Sequence, residues 1–394
     1  MKILMVLTSY FPPDSRVEKE ALSLSEKGHT VHIVSYKKNS QKAYEQTKNY
    51  IIHRITASNF FRKKLSATAL IFPFYFNKWK RIIEKLNQEY NFDVLHIHDL
   101  PLSKVGYYFK KKYGCKLVCD QHEFYSNWIK RTAHMNTALG KIISNLSNWT
   151  KYENKYLNLS DLVIAVADPL RENYLLNYNI LEEKIITVPN TPSKKIYNHN
   201  NINKTILNKY KNDYIIFYAG GIDILRGIDT AISALPQIKK RIPNAKIVLC
   251  GKIVKPYNPF KTAAEYGVTD SVIFEGWINE SELPSYIAAS NICFFTPPAT
   301  SDEINKTIAT KIYQYAIMGK PIIVSDARLM KEFVENNKLG ISITSKSSKE
   351  FTEKTIAFYD NQIELNQSTS KLTSWEDSVS NLIESYTKLD RNNL

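Results

Sequence analysis

Residues 2–8 read as a buried strand, Val17, Ala21, Leu22 and Leu24 form a helical stripe, Gly28 stops it, and residues 30–34 read as a second buried strand. Ser15 with Glu18 reads as a capping box for that helix. A strand–helix–strand unit of this kind joins parallel strands by a right-handed crossover, so the chain is committed to a parallel sheet covered by helices. The pattern recurs. Strands are predicted over 93–98, 115–119, 161–166 and 185–188, then again over 214–219, 245–251, 272–274, 292–296, 321–325 and 340–343. Between the two runs lies an Asn/Lys-rich stretch, 193–213, with the composition of an interdomain linker. The expected architecture is two doubly wound, Rossmann-like α/β domains facing each other across a cleft. The first spans 1–192 and the second 214–374, and a helix over 375–391, striped by Leu382, Ile383, Tyr386 and Leu389, packs back on the first.

In open α/β sheets ligands bind at the carboxyl ends of the strands, so the residues found there carry the functional reading. After the first strand the loop 9–14 has no G-x-G-x-x-G fingerprint, which argues against a dinucleotide cofactor. His96, His98 and Asp99 close the 93–98 strand. They make an incomplete ligand set for a metal and are better suited to hydrogen bonding. Asp120-Gln121-His122-Glu123 ends the next strand and reads either as an active-site cluster or as a turn with a helix cap. Gly220 and Gly221 follow the strand 214–219 and allow close backbone approach, while Arg226 at the next helix start can hold a phosphate.

Residues 305–318 read as one helix with Ile308, Ile312 and Ala316 inward, stopped by Gly319 and Pro321 before a β-branched strand. Its other face carries Lys306, Thr307, Thr310, Lys311 and Gln314, which suits either solvent or a phosphorylated ligand.

The formal net charge of +15, from 53 Lys and Arg against 38 Asp and Glu, favours an anionic partner. The lysines are scattered and no nucleic-acid-binding module is present, so nucleic acid is not expected. Basic residues interleave with large aromatics in one place, 60–81, where Arg62-Lys63-Lys64, an apolar run over 70–76, and Lys78, Trp79, Lys80 and Arg81 would suit peripheral contact with an anionic membrane surface. No segment approaches the roughly 18 apolar residues of a membrane span. The N-terminus reads as a strand and not a signal peptide, and four scattered cysteines fit a reducing compartment, so a cytoplasmic location is expected.

With these residues in view, the sequence resembles the GT-B-fold glycosyltransferases of family 4, which move a sugar from an activated donor with retention at the anomeric carbon. The similar stretches are F-P-P-D-S-R-V-E-K-E-A-L-S-L-S-E-K-G-H-T-V at 11–31, H-I-H-D at 96–99, D-Q-H-E at 120–123, V-P-N at 188–190, Y-A-G-G-I-D-I-L-R-G at 218–227 and K-I-Y-Q-Y-A-I-M-G-K-P-I-I-V-S-D at 311–326. The resemblance implies catalytic roles for His122, near the transferred sugar, and for Arg226 and Lys311, beside the leaving diphosphate. It implies donor contacts by Asp14, Gly220, Gly221, Thr307, Ile308, Ala309 and Gln314, and acceptor-side positions for His98, Asp99 and Glu123. No metal and no cofactor beyond the nucleotide-sugar substrate are implied. The acceptor would be a lipid-linked or polysaccharide-precursor saccharide. Lys306 and Gln314 stand where many members have two glutamates, and Gly221 where many have an arginine. A nucleotide-sugar epimerase of the same fold and a non-catalytic sugar-nucleotide binder are the alternative functions.

Overall fold

The computed structural model describes residues 1–38, 40–125, 129, 145–300, 302–365 and 373–391, without the side chains of Lys63, Asp302, Glu303 and Arg391. They form two compact units, one of Met1–Asn190 with Asp377–Leu394 and one of Thr191–Glu376.

The first unit is built on strands β1 (Lys2–Tyr10), β2 (Thr30–Tyr36), β3 (Tyr44–Gln46), β4 (Tyr50–Ile55), β5 (Val94–His98), β6 (Lys116–Gln121), β7 (Leu162–Ala165) and β8 (Ile185–Thr187). They lie in the order β3-β4-β2-β1-β5-β6-β7-β8, parallel except where β3 pairs antiparallel with β4. The sequence pattern does not announce β3 or β4, because β3 is short and solvent-facing and Tyr50–Ile55 has no clean alternation. Odd residues of β5, Leu95 and Ile97, join a core with Trp79, Ile83 and Phe109, while even residues His96 and His98 point to the other face. There the helix Ser15–Glu26 and the C-terminal helix Trp375–Arg391 supply partners, and Leu382 and Tyr386 are fully buried. The chain runs outward from β1 to β2 and β4, then returns to β5 on the opposite side of β1. That reversal opens a crevice at the carboxyl ends of β1 and β5.

The second unit repeats the logic with β9 (Tyr214–Ala219), β10 (Ala245–Cys250), β11 (Val272–Gly276), β12 (Ile292–Phe295), β13 (Ile322–Ser325) and β14 (Gly340–Ile343). All pairs are parallel, in the order β11-β10-β9-β12-β13-β14, and the reversal falls between β9 and β12.

Three local expectations are corrected. Asp14, not Ser15, caps the first helix, accepting from Val17 N at 3.2 Å. The stretch 193–213 is no linker but part of the second unit. Tyr197, Ile206 and Tyr210 sit in its core, and Asn203 N donates to Ser285 Oγ at 2.9 Å. A few apolar anchors outweigh a polar composition because burial depends on where those anchors fall. The proposed helix over 305–318 is two pieces, Asp302–Asn305 and Thr310–Ile317, with extended backbone at Ala309 between them. In the 60–81 segment, a short π-helix, Phe60–Leu65, precedes the helix Phe74–Tyr90, and Pro73 stands at the N-cap position of the latter. Among the described residues no helix is long and apolar enough to cross a membrane.

Membership of 193–213 in the second core makes a measurable difference. Ile206→Ala is expected to destabilise the protein by about 2 kcal/mol in urea unfolding, whereas a change in a solvated linker would stay within about 0.5 kcal/mol.

Candidate functional site

The first candidate cluster lies at the crevice of the first unit. Arg16, in the first turn of its helix, is only 3% exposed and binds Asp120 in bidentate fashion, Nε to Oδ2 at 3.0 Å and Nη2 to Oδ1 at 2.8 Å. The same guanidinium donates to Val188 O at 2.7 Å and reaches Glu20 Oε1 at 3.1 Å. Asp120 Oδ2 also contacts His98 Nδ1 at 3.2 Å and His122 Nε2 at 3.0 Å. Burial opposes the Asp120 charge, but Arg16 and His122 outweigh it and hold the carboxyl well below its usual range. Burial also disfavours a charged His122. Asp99 and Asp120 prevail, raising it to about 9.

His122 is thus a cationic, oriented side chain, one quarter exposed, with Nδ1 3.6 Å from Asp99 Oδ1. Asp99 has φ 62° and ψ 161°, a region nearly restricted to glycine and costing about 1–3 kcal/mol. Its N–H donates to Asp120 O at 2.9 Å, which helps hold that conformation. The structure therefore gathers three expected residues, His98, Asp99 and His122, with Glu123 directly after them and half-buried. Asp14 heads the same helix as Arg16, with Oδ1 occupied by the cap.

Glu20, His96, His98 and Asp120 each bring one possible metal-ligand atom within 4.8 Å of the others. Arg16 already engages both Asp120 oxygens and Glu20, so the positive charge such a set would attract is supplied by the guanidinium. As described, the cluster is held together by ion pairs and hydrogen bonds. Arg16 and Glu20 were not singled out from sequence. The available signal was two charged residues four apart, beside Val17 and Ala21 on the buried face of the first helix.

The second cluster lies at the reversal of the second unit. Lys311 Nζ donates to Tyr218 OH at 2.9 Å and sits over the rings of Tyr218 and Phe295, at 4.1 and 4.4 Å. A Cβ on Gly220, whose φ is +134°, would meet that amine at 2.5 Å, so glycine is required for the amine to approach the strand end. Tyr218 OH in turn donates to Gly221 O at 2.7 Å. Among the described residues no carboxylate lies within ion-pair distance of Lys311. Burial, then the Arg226 charge, lower its amine to about 7. Arg226 is 41% exposed and pairs through Nε with Asp223 Oδ2 at 3.0 Å. Gly227 follows with φ +74°. A Cβ there would lie 1.9 Å from Thr296 O, so the helix Ile228–Arg241 starts hard against the end of β12.

Thr307, Ile308 and Ala309 precede the helix of Lys311 and do not lie on its face. Gln314 Nε2 donates to Tyr197 OH at 2.6 Å, a side chain contributed by the stretch 193–213. Tyr218 and Phe295, which shape the amine's surroundings, were legible only as strand residues.

Two family profiles match the chain. Residues 200–373 match "Glycosyl transferases group 1" and residues 16–191 match "Glycosyltransferase Family 4". Together they span nearly the whole chain, which belongs to this group of GT-B-fold glycosyltransferases. A curated relative from Mycobacterium tuberculosis, a GDP-mannose-dependent alpha-(1-6)-phosphatidylinositol monomannoside mannosyltransferase, is 27% identical over 125 residues. That match spans 31% of this chain and 32% of the relative. Among solved structures, the sucrose-phosphate synthase of Thermosynechococcus elongatus has a TM-score of 0.76 at 16% identity, covering 100% of both chains. Anabaena HepE in complex with UDP and glucose has a TM-score of 0.70 at 16% identity, covering 98% of this chain and 100% of its own. WaaG, a glycosyltransferase involved in lipopolysaccharide biosynthesis, has a TM-score of 0.63 at 14% identity, covering 99% and 98%.

Removing one partner of the buried Arg16–Asp120 pair leaves an uncompensated charge. Arg16→Ala is therefore expected to cost about 3–5 kcal/mol, read as a large fall in the urea midpoint, while Arg226→Ala at its exposed pair changes stability by about 1 kcal/mol or less.

Proposed function

We propose that the protein transfers a sugar from a nucleotide-sugar donor to a lipid-linked or polysaccharide-precursor acceptor, with retention and without a metal. The observation that carries this reading is Lys311, a half-buried amine beside the end of β9 with no carboxylate partner among the described residues. Such a site favours an anion that brings its own negative charge. Breaking a sugar–phosphate bond develops charge on the departing diphosphate, and Lys311 and Arg226 would stabilise it there. Gly220 and Gly221 let the diphosphate approach the backbone. Asp14 and the segment of Thr307, Ile308 and Ala309 would complete the donor contacts, with Gln314 near the nucleoside. His122 would touch the transferred sugar, and His98, Asp99 and Glu123 would line the acceptor side. The departing phosphate itself would take the acceptor's proton, so no general base is assigned. The UDP and glucose bound to HepE and the mannosyl chemistry in the name of the Mycobacterium relative support a nucleotide-sugar donor.

A cytoplasmic, membrane-surface acceptor fits the first unit's exposed apolar residues. Phe60, Ile71, Phe72 and Phe74 are 50–63% exposed, and Phe74, Lys78, Arg81 and Lys85 follow one another at helical spacing on the solvent side of the helix Phe74–Tyr90.

Incubation with a panel of nucleotide sugars and membrane extract tests the reading. Donor consumption that depends on extract is the expected result, and absence of both turnover and donor binding would overturn it. Because the charged amine holds a diphosphate more tightly than the neutral one, UDP affinity is expected to fall as pH rises through about 7, by up to about tenfold per pH unit. Calorimetry across pH 6–9 checks this, and Lys311→Met is expected to flatten the dependence. The protein is expected to co-sediment with vesicles containing phosphatidylglycerol at low salt, and Phe72→Ser with Phe74→Ser to reduce that binding several-fold while UDP affinity is unchanged.

A further inference from the structure

Asp99 is the strained residue of the first unit's cluster, and its neighbours hold it in that state. His98 before it is buried and lies 3.2 Å from Asp120 Oδ2, while Leu100 and Leu102 after it are fully buried. Pro101 O accepts from Tyr152 OH at 2.9 Å. With both flanks fixed, the chain turns at Asp99 with φ 62° and ψ 161°, a conformation that glycine adopts without strain. Among the described residues the aspartate carboxylate has one ion-pair partner, His122, whose Nδ1 lies 3.6 Å from Oδ1.

Hydrogen-bond chemistry fixes the other ring nitrogen. Both Asp120 oxygens are engaged by the Arg16 guanidinium, so this carboxylate is ionised and can only accept. His122 Nε2, 3.0 Å from Asp120 Oδ2, therefore carries a hydrogen. The 3.4 Å approach of His98 Nδ1 to that nitrogen is a contact between two donors sharing Asp120 Oδ2. A neutral imidazole has one N–H, so a second hydrogen on Nδ1 makes the ring a cation. What faces Nδ1 decides whether that hydrogen stays, and the carboxylate there is Asp99. Around the ring stand Asp120 on β6, His98 and Asp99 at the end of β5, and Arg16 on the first helix with Glu20 behind it. Glu123 and Tyr125 follow in its own loop. Burial and the Arg16 charge oppose the second proton, and the two aspartates outweigh them.

We propose that Asp99 is a positioning residue for His122: the strained backbone directs its carboxylate at Nδ1 and keeps a proton there, so that His122 presents two N–H groups and a fixed positive charge. A ring held in this way donates and does not accept a proton, which excludes it as a general base. Backbone stability is given up to set the charge of one site side chain. The role rests on the reading of His122 as a site residue, and it is visible without donor or acceptor.

The test is histidine side-chain NMR with urea unfolding, on the full chain without any nucleotide sugar, the His122 resonances being assigned by comparison with His122→Gln. In the wild type His122 is expected to be doubly protonated at pH 7 and to lose its proton near 9. Asp99→Asn should lower that midpoint by about one pH unit or more, and Asp99→Glu, which keeps a carboxylate, should restore part of the shift. Asp99→Gly should lower the midpoint as Asp99→Asn does but relieve the backbone, so its folded-to-unfolded ratio should exceed that of Asp99→Asn by about fivefold. An aspartate with a merely structural role would leave the His122 midpoint in place. An unchanged midpoint in Asp99→Asn, or an Asp99→Gly protein no more stable than Asp99→Asn, would overturn the proposal. If Asp99→Asn does not fold, the midpoint in Asp99→Gly decides. A wild-type midpoint at the ordinary value of about 6.5 overturns it with no variant at all. Failure of sugar transfer with these shifts intact would reject the proposed reaction and leave the role of Asp99 standing.

Discussion

Arg16 is the residue through which the first unit closes on itself. One guanidinium grips Asp120 on β6, reaches Glu20 one turn along its own helix and donates to the carbonyl of Val188 just beyond β8. A buried ion pair of this kind adds little net stability over an apolar pair of equal shape, because desolvation of two charges offsets their attraction. Its effect is specification. Once Arg16 is inside, Asp120 must be ionised, and an ionised Asp120 holds His98 and His122 by hydrogen bonds at one oxygen. The strained backbone of Asp99, tied to Asp120 O, is held by the same arrangement.

The second unit solves the opposite electrostatic problem. Its cation beside the strand end, Lys311, is surrounded by the rings of Tyr218 and Phe295 and by Gly220, so burial and the Arg226 charge outweigh the pull of Asp223, and no carboxylate among the described residues pairs with it. One unit carries a site whose charges are balanced from within. In the proposed reaction, the balance of the other would be completed by an arriving anion. That contrast is what a transfer reaction with an anionic leaving group calls for, and it arises on two sheets of the same doubly wound design.

Most of the scaffold was legible in the sequence because parallel strands are buried on both faces and read as continuous apolar runs. The runs at 214–219 and 322–324 are examples. Gly220, Gly227 and Gly319 marked the turns, and Asp120-Gln121-His122-Glu123 marked the first cluster by its place after β6. Features without local periodicity were lost. The stretch 193–213 has the composition of a linker because three buried anchors are diluted among Asn and Lys, and the bond between Gln314 and Tyr197 is hidden because the two lie 117 residues apart. The helix over 305–318 was overextended because apolar spacing continues through Ile308 although the backbone at Ala309 does not.

The sequence by itself determined two doubly wound α/β units, the strand ends at which chemistry is sited, and the residue types available there. Hydrophobic periodicity and glycine placement are local properties, so they survive in the linear order. Only the tertiary structure decided which charges meet. Arg16 finds Asp120 across 104 residues, Lys311 finds Tyr218 across 93, and Tyr386 finds His96 across 290. Protonation states follow from those meetings, because the shift of a buried group is set by the charges within a few ångströms and by the water excluded around it, and neither is a property of its neighbours in sequence.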